Sequence, residues 1–241
     1  VWIPAALAGA GALLGWLARG LIADYTRPAG GVPLPRPGVL FPPVPLSGMP
    51  PGPREMRAWP APGTTEAAMA TAFTVAALWA HTGPALGAAC WLAGVTVPLA
   101  FIDAATGRLP AALTTAASCG TAACLILVTA AGGRWQDLAR AAAGAAVLAA
   151  FYAFLAVAGA AGAGDMRLAP ALGGILAWAG WQPLVSGAVA AYLLAAPVSA
   201  LLWSRRHTGT SVRTRIPFAP FMIAGTFLAL ALPAAPTPGP R

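Results

Sequence analysis

The 241-residue chain holds six carboxylates: Asp24, Glu55, Glu66, Asp103, Asp137 and Asp165. Four of them lie in or beside polar loops, where solvation accounts for them. Asp103 and Asp165 differ, because each stands where a long apolar run meets a short Gly-containing segment, and an acid at such depth is costly unless it is used. Two such acids held together can hydrolyse a peptide bond. One, ionised, takes a proton from water while the other, protonated, donates to the scissile carbonyl. Like charges a few ångströms apart do not both ionise cheaply, so the pair shares a proton near neutral pH. Gly162 and Gly164, just before Asp165, are expected to let a substrate backbone approach, since no side chain blocks the path.

The elements that must position these acids follow from composition. With 59% hydrophobic and 8% charged residues, the chain lies outside the range of soluble globular domains, and its natural solvent is lipid. Apolar runs cover about residues 2–23, 65–82, 84–102, 109–132, 139–161, 168–182, 184–203 and 216–235. The expected fold is an all-α polytopic bundle of about eight transmembrane helices. The sixth run is the shortest and admits a tilted or re-entrant helix. Two runs, 109–132 and 139–161, separate Asp103 from Asp165. An even number of crossings returns the chain to the same face, so the two acids can meet at one depth.

Residues 1–23 read as a first, uncleaved span and residues 24–66 as a Pro-rich loop, because Pro33, Pro35, Pro37, Pro42, Pro43 and Pro45 exclude regular structure there. A membrane domain is expected over residues 65–235, and residues 236–241 read as a disordered tail. All fourteen basic residues are arginine. With the Pro-rich loop placed in the cytoplasm, Arg19, Arg27, Arg36, Arg54, Arg57, Arg108, Arg167, Arg205, Arg206, Arg213 and Arg215 fall inside, whereas Arg134, Arg140 and Arg241 fall outside. That asymmetry obeys the positive-inside rule. It accounts for the basic excess without nucleic acid, for which no exposed polar surface interleaves basic and aromatic residues. Trp2, Trp135, Trp181 and Trp203 are expected near the interfaces. Cys90, Cys119 and Cys124 lie inside apolar runs without CxxC spacing, which suits buried apolar side chains and neither zinc nor a disulfide framework.

Several segments match a known family. Ile102-Asp103-Ala104-Ala105-Thr106-Gly107-Arg108-Leu109-Pro110 resembles the aspartate, five residues, Leu-Pro pattern of type IV prepilin peptidases. Gly162-Ala163-Gly164-Asp165 is similar to their GxGD motif, and Met166-Arg167-Leu168, Gly173-Gly174 and Gly180-Trp181 to the stretch that follows it. Ile216-Pro217-Phe218-Ala219-Pro220-Phe221 resembles the PFGPF segment. The resemblance covers about residues 65–235. It implies an aspartic endopeptidase of the bacterial inner membrane that cleaves the leader of prepilins or pseudopilins at the cytoplasmic face, with no metal and no cofactor. Asp103 and Asp165 would be catalytic, Gly162, Gly164, Arg167, Leu109 and Pro110 would support them, and Pro217, Phe218, Pro220 and Phe221 would position substrate.

Arg167 stands where the family usually has lysine and Ala219 where it usually has glycine. Residues 24–66 contain no cysteine, so the zinc loop of larger members cannot form there, and the resemblance does not extend to their methyltransferase activity. The reading from another class is a proton-coupled transporter, since paired intramembrane acids also mark ion pathways, but the hydropathy shows no internal repeat. A presenilin-like protease would carry tyrosine before its first aspartate, where this chain has Ile102. A silent scaffold of pilus assembly would not need both aspartates.

The arginine distribution predicts that the Pro-rich loop is cytoplasmic. A cysteine introduced at Gly48 should resist an impermeant thiol reagent in intact cells and react after the membrane is opened; labelling from outside reverses the orientation.

Overall fold

The computed structural model describes residues 2–26, 60–80, 83, 85–206 and 217–232. Among these, eight helices and no strand occur: α1 Trp2–Thr26, α2 Thr64–Ala80, α3 Leu86–Thr106, α4 Ala111–Gly132, α5 Trp135–Val157, α6 Ala163–Ala179, α7 Trp181–Arg206 and α8 Ala219–Ala231. Alanine and leucine dominate these segments, and both favour helix. Lipid enforces the choice, because a helix satisfies its backbone polar groups internally. Glycines end three of the helices, two of them in the left-handed conformation. Gly107 (φ 62°) and Gly133 (φ 68°) adopt the left-handed conformation, and their N–H groups donate to the Asp103 and Thr129 carbonyls.

The chain is an all-α polytopic membrane protein, but its helices are not eight equal spans. Five are long and apolar enough to cross a bilayer: α1, α3, α4, α5 and α7. At 17 residues, α2 and α6 are shorter. The shortest is α8, not the expected sixth element; its 13 residues extend only about 20 Å at 1.5 Å per residue. That is less than the roughly 30 Å hydrocarbon layer.

Boundaries differ from the apolar runs in a way that matters. Capping by Gly107 carries α3 to Thr106, so Asp103 lies inside the last turn of a helix. Helix α6 begins at Ala163 instead of near residue 168, which places Asp165 in its first turn. Hydropathy marks where apolar side chains stop, whereas helices stop where their backbone is capped. Residues 24–26 and 64–66, expected in the loop, are helical. Residues 27–59 of the Pro-rich loop, the tail and Arg213 and Arg215 lie outside the described residues, as do the side chains of Trp203, Arg205 and Arg206.

Helix α6 is the centre of the bundle: Leu168, Leu172, Ile175, Leu176 and Trp178 are all buried. Its neighbours α3 and α8 are also largely enclosed. Leu13 on α1, Leu127 on α4, Phe154 and Val157 on α5 and Leu193 on α7 instead face outward, where lipid solvates them. Without a hydrophobic drive between helices, contact depends on close packing by small residues. On α5 and α6, Gly144 and Gly173 meet so tightly that a Cβ on Gly173 would fall 2.5 Å from the Gly144 carbonyl oxygen. A similar crossing joins α7 and α8, where a Cβ on Gly225 would lie 2.7 Å from the Gly187 carbonyl oxygen. Several buried hydroxyls are satisfied locally: Thr96, Thr129 and Thr226 donate to the carbonyl four residues earlier at 2.7, 2.8 and 2.9 Å, whereas those of Thr65 and Thr121 find no partner among the described residues.

The α5–α6 contact should therefore be the most sensitive in the bundle. Gly173→Val is expected to destabilise the detergent-solubilised protein by about 3 kcal/mol, since neither backbone can yield. Gly9→Val, where nothing lies within 4 Å of the added carbon, should leave the thermal midpoint unchanged.

Candidate active site

Asp103 is buried, with 4% of its surface exposed, although it sits one turn from the end of α3. Its Oδ2 accepts a hydrogen bond from the Ala219 backbone N–H at 3.2 Å. That donor is the first residue of α8, one of the helix N–H groups with no intrahelical partner. Pro220 follows in the first turn, where its missing N–H costs nothing. The Pro217–Phe221 segment thus presents the positive end of a helix to Asp103.

Asp165 is 7% exposed and lies in the first turn of α6. Its Oδ2 accepts the Gly162 N–H at 2.9 Å. A carboxylate three positions into a helix reaching back to the preceding N–H is half of a capping box. It also stands at the favourable end of the α6 dipole. Both acids are therefore inserted among backbone donors at helix N-termini.

Both lie at one end of the bundle. Between α3 and α4, the turn is fixed by Thr106, whose hydroxyl donates to the Ile102 carbonyl at 2.8 Å and accepts the Arg108 N–H at 3.2 Å. Pro110 then starts α4 from an extended conformation. This turn delivers Leu109 onto Gly164: a Cβ there would fall 2.7 Å from the Leu109 Cβ and 2.8 Å from its Cδ1. Gly164 is thus not an open path for substrate, as the sequence led us to expect. Its missing side chain makes room for Leu109 and so locks the Asp103 turn to the Asp165 turn. Arg167 is exposed, and its carbonyl accepts the Ser118 hydroxyl of α4 at 3.2 Å.

Aromatic residues surround the pair. The Phe218 ring lies 6.0 Å from Tyr152 of α5, 5.2 Å from Tyr192 of α7 and 6.4 Å from Phe221. Tyr152 is 1% exposed. Both tyrosines lie within electrostatic reach of the Asp165 carboxylate. Phe218 precedes the residue that donates to Asp103, so one cluster adjoins both acids. The motif reading missed Tyr152 and Tyr192. A signal was present: the chain has three tyrosines, and these two fall inside apolar runs, where a buried hydroxyl requires a partner.

Residues 90–204 match the model of the type IV leader peptidase family. The matched segment includes Asp103, Asp165, Tyr152 and Tyr192. No curated protein and no solved structure matches the chain.

The Leu109–Gly164 contact generates a double-mutant test. Gly164→Ala and Leu109→Gly should each lower the thermal midpoint, whereas the double variant should recover part of the loss. Their coupling is expected to be about 1 kcal/mol or more, as for residues in direct contact. Strict additivity in thermal or denaturant unfolding would disconnect the two turns.

Proposed function

We propose, from the match of residues 90–204 to the type IV leader peptidase family, that the protein is an aspartic endopeptidase using Asp103 and Asp165 as its catalytic pair. The observation that carries the reading is that two buried carboxylates stand at one end of a membrane bundle, each held by a backbone donor. One carboxylate, ionised, draws the proton from a water molecule as its oxygen attacks the scissile carbonyl. Its partner, protonated, hydrogen-bonds to that carbonyl and donates as the tetrahedral intermediate forms. Transfer of a proton to the leaving amine completes cleavage.

The substrate in this reading is a prepilin or pseudopilin with a short basic leader, cut at the cytoplasmic face of the bacterial inner membrane in support of pilus assembly or secretion. The arginine asymmetry supports the orientation. Phe218 and Phe221, with Pro217 and Pro220 fixing the entry to α8, would position the substrate beside the acids. The family match favours this reading over a proton-coupled carrier.

Asp103→Asn, Asp165→Asn and the double variant should be about equally inactive on a cognate prepilin, because neither carboxyl can perform both proton transfers and jointly acting residues are strongly non-additive. Asparagine is nearly isosteric, so membrane insertion and the thermal midpoint should survive. Substantial leader cleavage by either purified single variant, beside an active wild type, removes the dyad.

A further inference from the structure

Nothing in the proposed reaction uses the opposite end of the bundle, where α2 and α6 end and α5 begins. There a cavity of about 220 Å³ is lined by Trp79, Arg134, Arg140 and Trp178, with Gly83 and small alanines completing its wall. Asp137 lies between the two arginines: its Oδ1 accepts Nη2 of Arg140 at 2.8 Å, and its Oδ2 pairs with Arg134. Arg140 is further anchored by donating to the carbonyls of Ala177 at 2.6 Å and Trp178 at 2.8 Å. The Arg134 guanidinium stacks over the Trp178 ring, 5.1 Å from its centroid.

Two guanidiniums against one carboxylate leave one positive charge at the cavity. Among the described residues, Nη1 of each arginine makes no hydrogen bond, and the Arg134 and Arg140 side chains remain 46% and 28% exposed. Trp135 and Trp181, both outward-facing, begin helices at the same end. Indole rings collect at the headgroup level of a bilayer, so the cavity opens at that depth.

We propose that this cavity binds the phosphate of an anionic phospholipid. A phosphodiester carries the single negative charge that the site lacks, and planar guanidinium forks suit its oxygens. Trp79 and the alanine wall meet the apolar part of the same molecule. A free phosphate dianion would find too little charge and an apolar wall, and the trimethylammonium of a phosphatidylcholine would meet Arg134. The assignment is independent of the protease reading and of which way the bundle faces.

Tryptophan fluorescence of the purified full chain in detergent can follow titration with short-chain phosphatidylglycerol, phosphatidylcholine of equal chain length, or inorganic phosphate. Phosphatidylglycerol should bind about tenfold more tightly than phosphatidylcholine, because its phosphate brings a net negative charge with no headgroup cation to oppose Arg134. Arg134→Gln should lose that preference, and Asp137→Asn, which removes the competing carboxylate, should strengthen it. Should Arg134→Gln fail to fold, Asp137→Asn decides: tighter phosphatidylglycerol binding supports the site, and unchanged or weaker binding overturns it. Equal binding of the two lipids, or full binding by folded Arg134→Gln, also overturns it. Inorganic phosphate binding as tightly as phosphatidylglycerol would make this a free-anion site and reject the lipid.

Discussion

A buried carboxylate must find hydrogen-bond donors where water is scarce, and the rest of this bundle depends on that requirement being met twice. An uncompensated buried charge costs about 3–5 kcal/mol, whereas a hydrogen bond to a charged group returns about 1.5–3 kcal/mol. The magnitudes explain why the donors are backbone amides at helix starts. Such amides are already without partners, lie on the positive side of a dipole, and need no side-chain entropy to hold them in place. Helix α8 must begin at Ala219 to reach Asp103, and α6 must begin just after Gly162 to reach Asp165.

Packing then has to hold these helix starts in register. Tight glycine crossings fix α6 against α5 and α8 against α7. Leu109 on Gly164 couples the turn after α3 to the turn before α6. Small residues dominate because close backbone approach replaces the hydrophobic drive that lipid removes. The same economy explains the exterior, where Leu127, Phe154 and Leu193 are mostly exposed and serve as solvent-facing groups toward lipid.

Much of this was legible in the residues. Long apolar runs specified helices, since a membrane permits little else, and the isolated acids Asp103 and Asp165 stood out from the loop carboxylates. Lengths were harder to read. Residues 216–235 are apolar throughout, but Pro217 and Pro220 delay the start of α8 and its last helical residue is Ala231. Gly164 was misread because glycine reports only that a side chain is unwelcome; whether substrate or Leu109 fills the space depends on a contact between distant segments. Tyr152 and Tyr192 escaped notice for the same reason, as no local pattern brings α5 and α7 together around Phe218.

The shortness of α8 has a hydraulic consequence. A rod of about 20 Å cannot by itself reach both surfaces of a hydrocarbon layer of roughly 30 Å, so α8 spans only part of the layer as helix. Its amino end is the one that touches Asp103. Hydrolysis consumes one water molecule per turnover, and a helix that starts short of that surface would leave the aqueous phase a way toward the acid pair. In the proposed protease, the missing helical turns would form the supply line for that reactant.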